Sequence, residues 1–293
     1  MKNQTPGRQP LPPFHDTVAK PQSSPPRNRV MGTILVIGFA AAMLAANFLA
    51  SSLENAVASL IVGPVLAVSM VWLYIWVGIR FEKRTVAELP VRAGMRHLLL
   101  GSAGGVSLAA VTIAFLALFG GYRITGWGSA AGALAVVGTM SAVAVAEEVF
   151  FRGIVFRLLL GRWGVLVALI VSSAIFGLLH LINPGSSLNG ALAVAVEAGL
   201  MLGAAYLFTG SLWLAIGLHF GWNVAIGGIF GTVVSGSDAS DAVFAATTAG
   251  PDWLSGGSFG PEAGIVSILV CSAATTAFLI AAHRRGRMPR QRS

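Results

Sequence analysis

The apolar residues of this chain are gathered into blocks of about 20, the length an α-helix needs to cross the hydrocarbon of a bilayer. A backbone in lipid must satisfy its own N–H and C=O groups, so blocks of this length are helices. The short alternating segments of a transmembrane β-barrel are absent from the sequence. Composition points the same way. Charged residues make up only 10% of the chain against 55% hydrophobic, and mean hydropathy is +0.78. A soluble domain carries about a quarter charged residues, so this chain lacks the polar surface to stay in water. The expected fold class is all-α, a polytopic transmembrane helical bundle.

Eight spans are expected, at roughly 30–53, 56–80, 97–120, 130–159, 164–182, 188–208, 211–234 and 264–283. Residues 1–29, rich in Pro, Gln, Ser and basic residues, read as a disordered cytoplasmic tail. Residues 30–283 form the membrane domain, and 284–293 a basic cytoplasmic tail. The first apolar block follows too long a tail for a signal peptide and is expected to be kept as an anchor. Basic residues test the topology. Arg27 and Arg29, the group from Arg80 to Arg96, Arg157 with Arg162, and the arginines from Arg284 onward all fall on one side of an even-numbered bundle; only Arg123 falls opposite. The positive-inside rule then puts both termini in the cytoplasm, of the plasma or inner membrane if the source is bacterial.

The formal net charge of +8 therefore reads as a topology signal and an attraction to anionic lipid, not as a nucleic-acid face. The single cysteine, Cys271, excludes an intramolecular disulfide and a cysteine-based metal site. The Gly-, Ser- and Asp-rich stretch from Ser235 to Pro261 reads as an external loop, with Trp253 and Phe259 as the residues that would order it.

Against this apolar background a few polar residues stand out. The fourth span carries Glu147, Glu148 and Arg152. Each ionised group at a helix centre costs about 2.5–3.5 kcal/mol on insertion scales, so three together need a reason. Glu148 and Arg152, four residues apart, share a helix face and can pair. Glu147 is rotated by about 100° from Glu148 and lies off that pair. It also lies roughly 15 Å deeper along the helix than Arg157, too deep for a residue at the membrane rim. The fifth span ends in Phe176-x-x-x-His180, and the seventh holds His219 and Asn223, again four apart on one face. Glu197 in the sixth span either lines the same cavity or sits near the outer end of its helix. Carboxylate, imidazole and amide together can activate a water and bind an oxyanion; Glu and His can equally be zinc ligands.

The Glu-Glu-x-x-x-Arg of Glu147–Arg152, the Phe-x-x-x-His of Phe176–His180 and the His-x-x-x-Asn of His219–Asn223 come in that order. With Thr209-Gly210-Ser211-Leu212-Trp213, they resemble the motifs of the CPBP family of intramembrane proteases, the CAAX prenyl endopeptidase and bacteriocin-processing proteins. The resemblance covers about residues 135–230. It implies eight helices around a conical polar cavity and a glutamate-dependent endopeptidase acting on membrane-associated or lipidated peptides and proteins. By motif position, Glu147 is the general base, activating water with His180. His219 and Asn223 form the oxyanion hole, Glu148 is an auxiliary carboxylate and Arg152 positions the glutamates. The expected cofactor is none, since the zinc-protease His-Glu-x-x-His is absent and Asn223 is a poor zinc ligand.

Three other readings compete. One is a non-catalytic scaffold, immunity or regulatory protein of the same fold. Another is a zinc metalloprotease, and the last a proton-coupled transporter using the buried Glu and His as a relay. A serine protease lacks a Gly-rich nucleophile setting at Ser141 or Ser172, and the spans contain no Asp for an aspartyl type.

Overall fold

The computed structural model describes residues 29–53, 55–237 and 241–288, so the expected tail 1–29 and the end of the basic tail lie almost wholly outside the described residues. Seven helical runs are long and apolar enough to cross a membrane. They are α1 (Arg29–Ser51), α2 (Ala56–Arg80), α3 (Val91–Leu118), the run Ala130–Ile182, the run Leu188–Thr209, α8 with its continuation (Leu212–Ile229), and α10 (Ile265–Arg284). The chain is an integral membrane protein.

The run Ala130–Ile182 is 53 residues long, about 80 Å at 1.5 Å per residue and more than twice a bilayer. It turns back on itself at Gly164, whose φ of 82° and ψ of −177° no helix contains. The proof is a side-chain contact: the Arg152 guanidinium lies 4.9 Å from the centroid of the Phe176 ring. On a straight helix those residues would be about 36 Å apart. The expected fourth and fifth spans are thus two crossings joined at a glycine.

Within this run, α4 (Ala130–Glu148) passes into a π-helical stretch, Val149–Phe156, before α5 (Arg157–Leu179). The next run is likewise divided: α6 (Leu188–Val194), a π stretch Ala195–Leu200, and α7 (Met201–Thr209). After α8 (Leu212–Asn223) comes a third π stretch, Val224–Ile229. Each widened turn directly follows or contains a polar residue singled out above: Glu148, Glu197 and Asn223. Single-turn π geometry concentrates at functional sites because it re-aims side chains against the regular helical period.

α8 is the centre of the bundle, with 78% of its apolar window buried against 22% for α2. It is clamped on α3 by two small-residue pairs. A Cβ at Gly101 or Gly105 would come within 2.5 or 2.2 Å of the Leu214 or Leu218 carbonyl oxygen, and one at Gly221 within 2.1 Å of the Ser102 carbonyl. Backbones this close are what glycine four residues apart on each helix permits, and in lipid such packing replaces the hydrophobic drive. His219 and Asn223 ride on this rigid helix.

Beyond the expected helices, β1 (Tyr122–Trp127) and β2 (Phe244–Thr248) form an antiparallel ribbon, Tyr122 opposite Thr248 and Trp127 opposite Phe244. The expected external loop is therefore partly ordered, and it also holds the short α9 (Asp252–Ser255). Phe259 is buried against Gly190 and Gly236, whereas Trp253 is exposed and orders nothing.

Candidate active site

Glu147 and Glu148 end α4, just where the helix widens, and both are buried. Glu148 is fully enclosed. Its Oε1 receives Arg152 Nη1 at 2.6 Å and lies 3.0 Å from His219 Nδ1. Arg152 is held in turn: Nη2 donates to the Gly199 carbonyl at 3.0 Å and Ala198 at 3.3 Å, both in the second π stretch, and its plane faces Phe176. An ionised carboxylate only accepts, so the proton of His219 sits on Nδ1 and Nε2 turns the other way. That nitrogen is 3.9 Å from Glu147 Oε2.

Glu147 is held differently. Its Oε1 accepts Asn47 Nδ2 from α1 at 2.9 Å, while Oε2 is buried without a hydrogen-bond partner among the described residues. The side chain lines a cavity of about 410 Å³ shared with His180, His219 and Asn223. The His180 Nδ1 lies 2.8 Å from the Phe176 carbonyl, which can only accept, so its Nε2 is the free nitrogen. Among the described residues the Asn223 amide makes one hydrogen-bond contact, to the Met140 thioether at 3.5 Å, a weak acceptor, which leaves N–H capacity for a ligand. All six residues singled out from the sequence therefore meet, five by side-chain contact or by a shared cavity and Arg152 through Glu148. In one respect the arrangement differs from the expected division of roles: His219, not His180, is tied to both glutamates.

Glu197 does not sit at an outer helix end. It is buried in the second π stretch. It lines a chamber of about 20 Å³, enough for a single water, next to His180, His219 and Asn223. Glu262 closes the same chamber. Its carboxylate accepts Trp222 Nε1 at 2.7 Å, the Ser235 hydroxyl at 2.8 Å and the Ser235 N–H. Burial pushes the Glu262 carboxyl above its ordinary range, although the Ser235 and Trp222 donors pull it back. Ser235 adopts a left-handed φ of 49°, uncommon outside glycine, and the Glu262 contacts hold it there.

Sequence reasoning missed Asn47 and Glu262. Asn47 carries a readable signal, a lone amide in an apolar first span; Glu262, just beyond the loop, carries none. For zinc the residues fit poorly. Among the described residues no three His, Cys, Asp or Glu side chains are gathered for a metal, and the Glu148 oxygen nearest His219 already faces a guanidinium.

Fold and site together define a polytopic membrane protein with a carboxylate–imidazole centre buried in its helices. Residues 128–225, a third of the chain, match the family model described as type II CAAX prenyl endopeptidase Rce1-like, so this segment is similar to that family. The matched segment contains every motif residue and leaves out Asn47 and Glu262. No curated protein and no solved structure matches the chain.

Proposed function

We propose that the chain is an intramembrane endopeptidase that hydrolyses peptide bonds of membrane-associated peptides or proteins with a water activated by Glu147. One observation carries the reading. Glu147, whose side chain lines the cavity, has one carboxylate oxygen anchored by Asn47 and the other buried without a hydrogen-bond partner among the described residues, 3.9 Å from His219 Nε2. A water between those two atoms is within hydrogen-bond reach of both.

The water gives its proton to Glu147 as its oxygen attacks the scissile carbonyl carbon. Asn223 donates an N–H to the oxygen that becomes negative. Glu148, neutralised by Arg152, fixes the His219 ring with Nε2 turned toward Glu147, where it accepts a hydrogen bond from the attacking water. Protonated Glu147 then returns its proton to the leaving amine as the carbon–nitrogen bond breaks. His180, with Nε2 turned to the cavity, is left to orient the water or the substrate carbonyl. The cycle needs no metal and no nucleophile from the protein, and its partners are a peptide or membrane-protein substrate and the surrounding lipid, with no nucleic acid.

The test compares protein termini in membranes from cells expressing wild type or Glu147→Gln at equal levels. Termini found only with wild type are expected, and each names a substrate and its cleavage site. Identical termini from two folded proteins would sink the proposal and leave a binding or scaffold role for the bundle.

A further inference from the structure

The two ends of the bundle differ in chemistry, and among the described residues the cavity lining reaches one of them. At the first end meet the C-termini of α2, α7 and α10 and the N-termini of α3 and α8. Arg157 Nη2 pairs with Glu82 at 2.8 Å, the Leu212 N–H donates to the Glu88 carbonyl, and the Arg285 guanidinium lies 4.2 Å over the Phe208 ring. These segments carry the basic clusters from Arg80 to Arg96 and from Arg284 onward. Their inward-facing side chains interlock: Tyr74, Glu82, Arg84, Glu88 and Arg157 fill the space between α2, the α2–α3 loop and the π stretch.

At the second end, the C-terminus of α1 meets the first half of α4, the Asn183 amide donates to the Ser235 carbonyl at 2.7 Å, and the β1–β2 ribbon closes the side. Among the described residues Arg123 is the one Lys or Arg there. The cavity holding Glu147 is lined at this end by Ser51, Asn183 and Ser237. Two apolar lips flank it, Phe48 on α1 and Ile182 just past α5, 73% and 70% exposed.

Basic clusters mark the cytoplasmic ends of membrane helices. We infer that the site opens on the extracytoplasmic side and takes its substrate there: a segment of a membrane-anchored peptide or membrane protein where its apolar span leaves the outer leaflet. Ile182 and Phe48 receive the apolar part, and the chain past it reaches Glu147 through the polar mouth. A tail lying wholly in the cytoplasm, such as a newly prenylated C-terminus, meets the interlocked basic end instead. The substrate class rests on the peptidase reading; the side of opening does not.

Labelling of an introduced cysteine with a charged, membrane-impermeant maleimide separates the two. Wild type is the blank, since Cys271 is buried. Ser51→Cys at the cavity mouth is expected to be labelled in intact cells. Val91→Cys, 94% exposed at the basic end, is expected to react only after permeabilisation. The reverse pattern, equal labelling of both in intact cells, or no labelling of Ser51→Cys under either condition overturns the inference. Cleaved termini that appear only with wild type are expected in extracytoplasmic segments beside apolar spans, and cytoplasmic ones would overturn the substrate class. Termini unchanged by Glu147→Gln would remove the peptidase reading while the labelling still decides the side.

Discussion

Two buried Glu/Arg networks lie in this bundle, and they differ in what their atoms face. In the first, Glu82 bridges Arg84 and Arg157, Glu88 receives Arg84 and the Tyr74 hydroxyl, and Arg157 Nε also binds the Gly153 carbonyl. Its members tie α2, the α2–α3 loop and the π stretch together, and none of them lines the 410 Å³ cavity. The partners around Arg84 hold its guanidinium above even its usual range. In the second network Glu148 and Arg152 are as tightly paired, but they pass the order on to His219, beside a Glu147 whose Oε2 is buried without a hydrogen-bond partner among the described residues, on a side chain that lines the cavity. Buried charge alone therefore does not distinguish a structural clamp from a reaction centre. What distinguishes them is a polar atom left without a partner at the wall of a cavity.

The comparison breaks most visibly if activity and stability are measured together. Glu147→Gln is expected to lower turnover by about 10²–10⁴, the usual contribution of a general base, with the melting temperature in detergent unchanged. Glu82→Gln should do the opposite. Breaking a buried ion pair by removing one partner costs about 3–5 kcal/mol, so the melting temperature falls steeply while turnover of the surviving folded fraction holds. If Glu82→Gln abolishes turnover at full stability, the clamp is part of the reaction centre and the distinction fails. Next in size, Asn223→Ala is expected to lose about 10²–10³ in kcat with little change in KM, as removal of an oxyanion donor does. An unchanged kcat would move the oxyanion elsewhere.

Much of this was legible in the sequence because membrane insertion penalises polar groups so heavily. Each of Glu147, Glu148, Arg152, His219 and Asn223 stands in an apolar block, and the four-residue spacings of Glu148–Arg152 and His219–Asn223 already put each pair on one helix face. The break between the spans expected at 130–159 and 164–182 falls within a few residues of Gly164. What the spacing could not show is how helices far apart in sequence meet. Asn47 reaches Glu147 across 100 positions, and Glu262 reaches Trp222 across 40. The π stretches escaped for a related reason. The apolar pattern keeps a regular helical period through Glu148 and Asn223, whereas the helix widens there. The β1–β2 ribbon joins segments about 120 residues apart whose compositions read as a polar connection and a loop.

Asn47 sharpens the comparison by a smaller step. Asn47→Ala leaves Glu147 Oε1 without its one hydrogen bond, worth about 1.5–3 kcal/mol when the partner is charged. Turnover should fall by about tenfold, and Asn47→Gln should recover part of it; a loss equal to that of Glu147→Gln would mean that Asn47 touches substrate.

Glu262 gives the smallest effect and lies between the two kinds of network, buried and multiply bonded yet on the wall of the chamber beside His180. Burial raises its carboxyl in the folded protein above the unfolded value, so the stability it contributes is complete below the ordinary carboxylate range. That stability is lost as the pH rises through the raised value, where the ionised group must stay buried. The melting temperature of wild type should therefore drift downward with rising pH across that window, relative to Glu262→Gln, whose amide does not titrate. Equal slopes for the two proteins would show that the Ser235 and Trp222 donors already offset the burial, and that Glu262 belongs with the structural clamp.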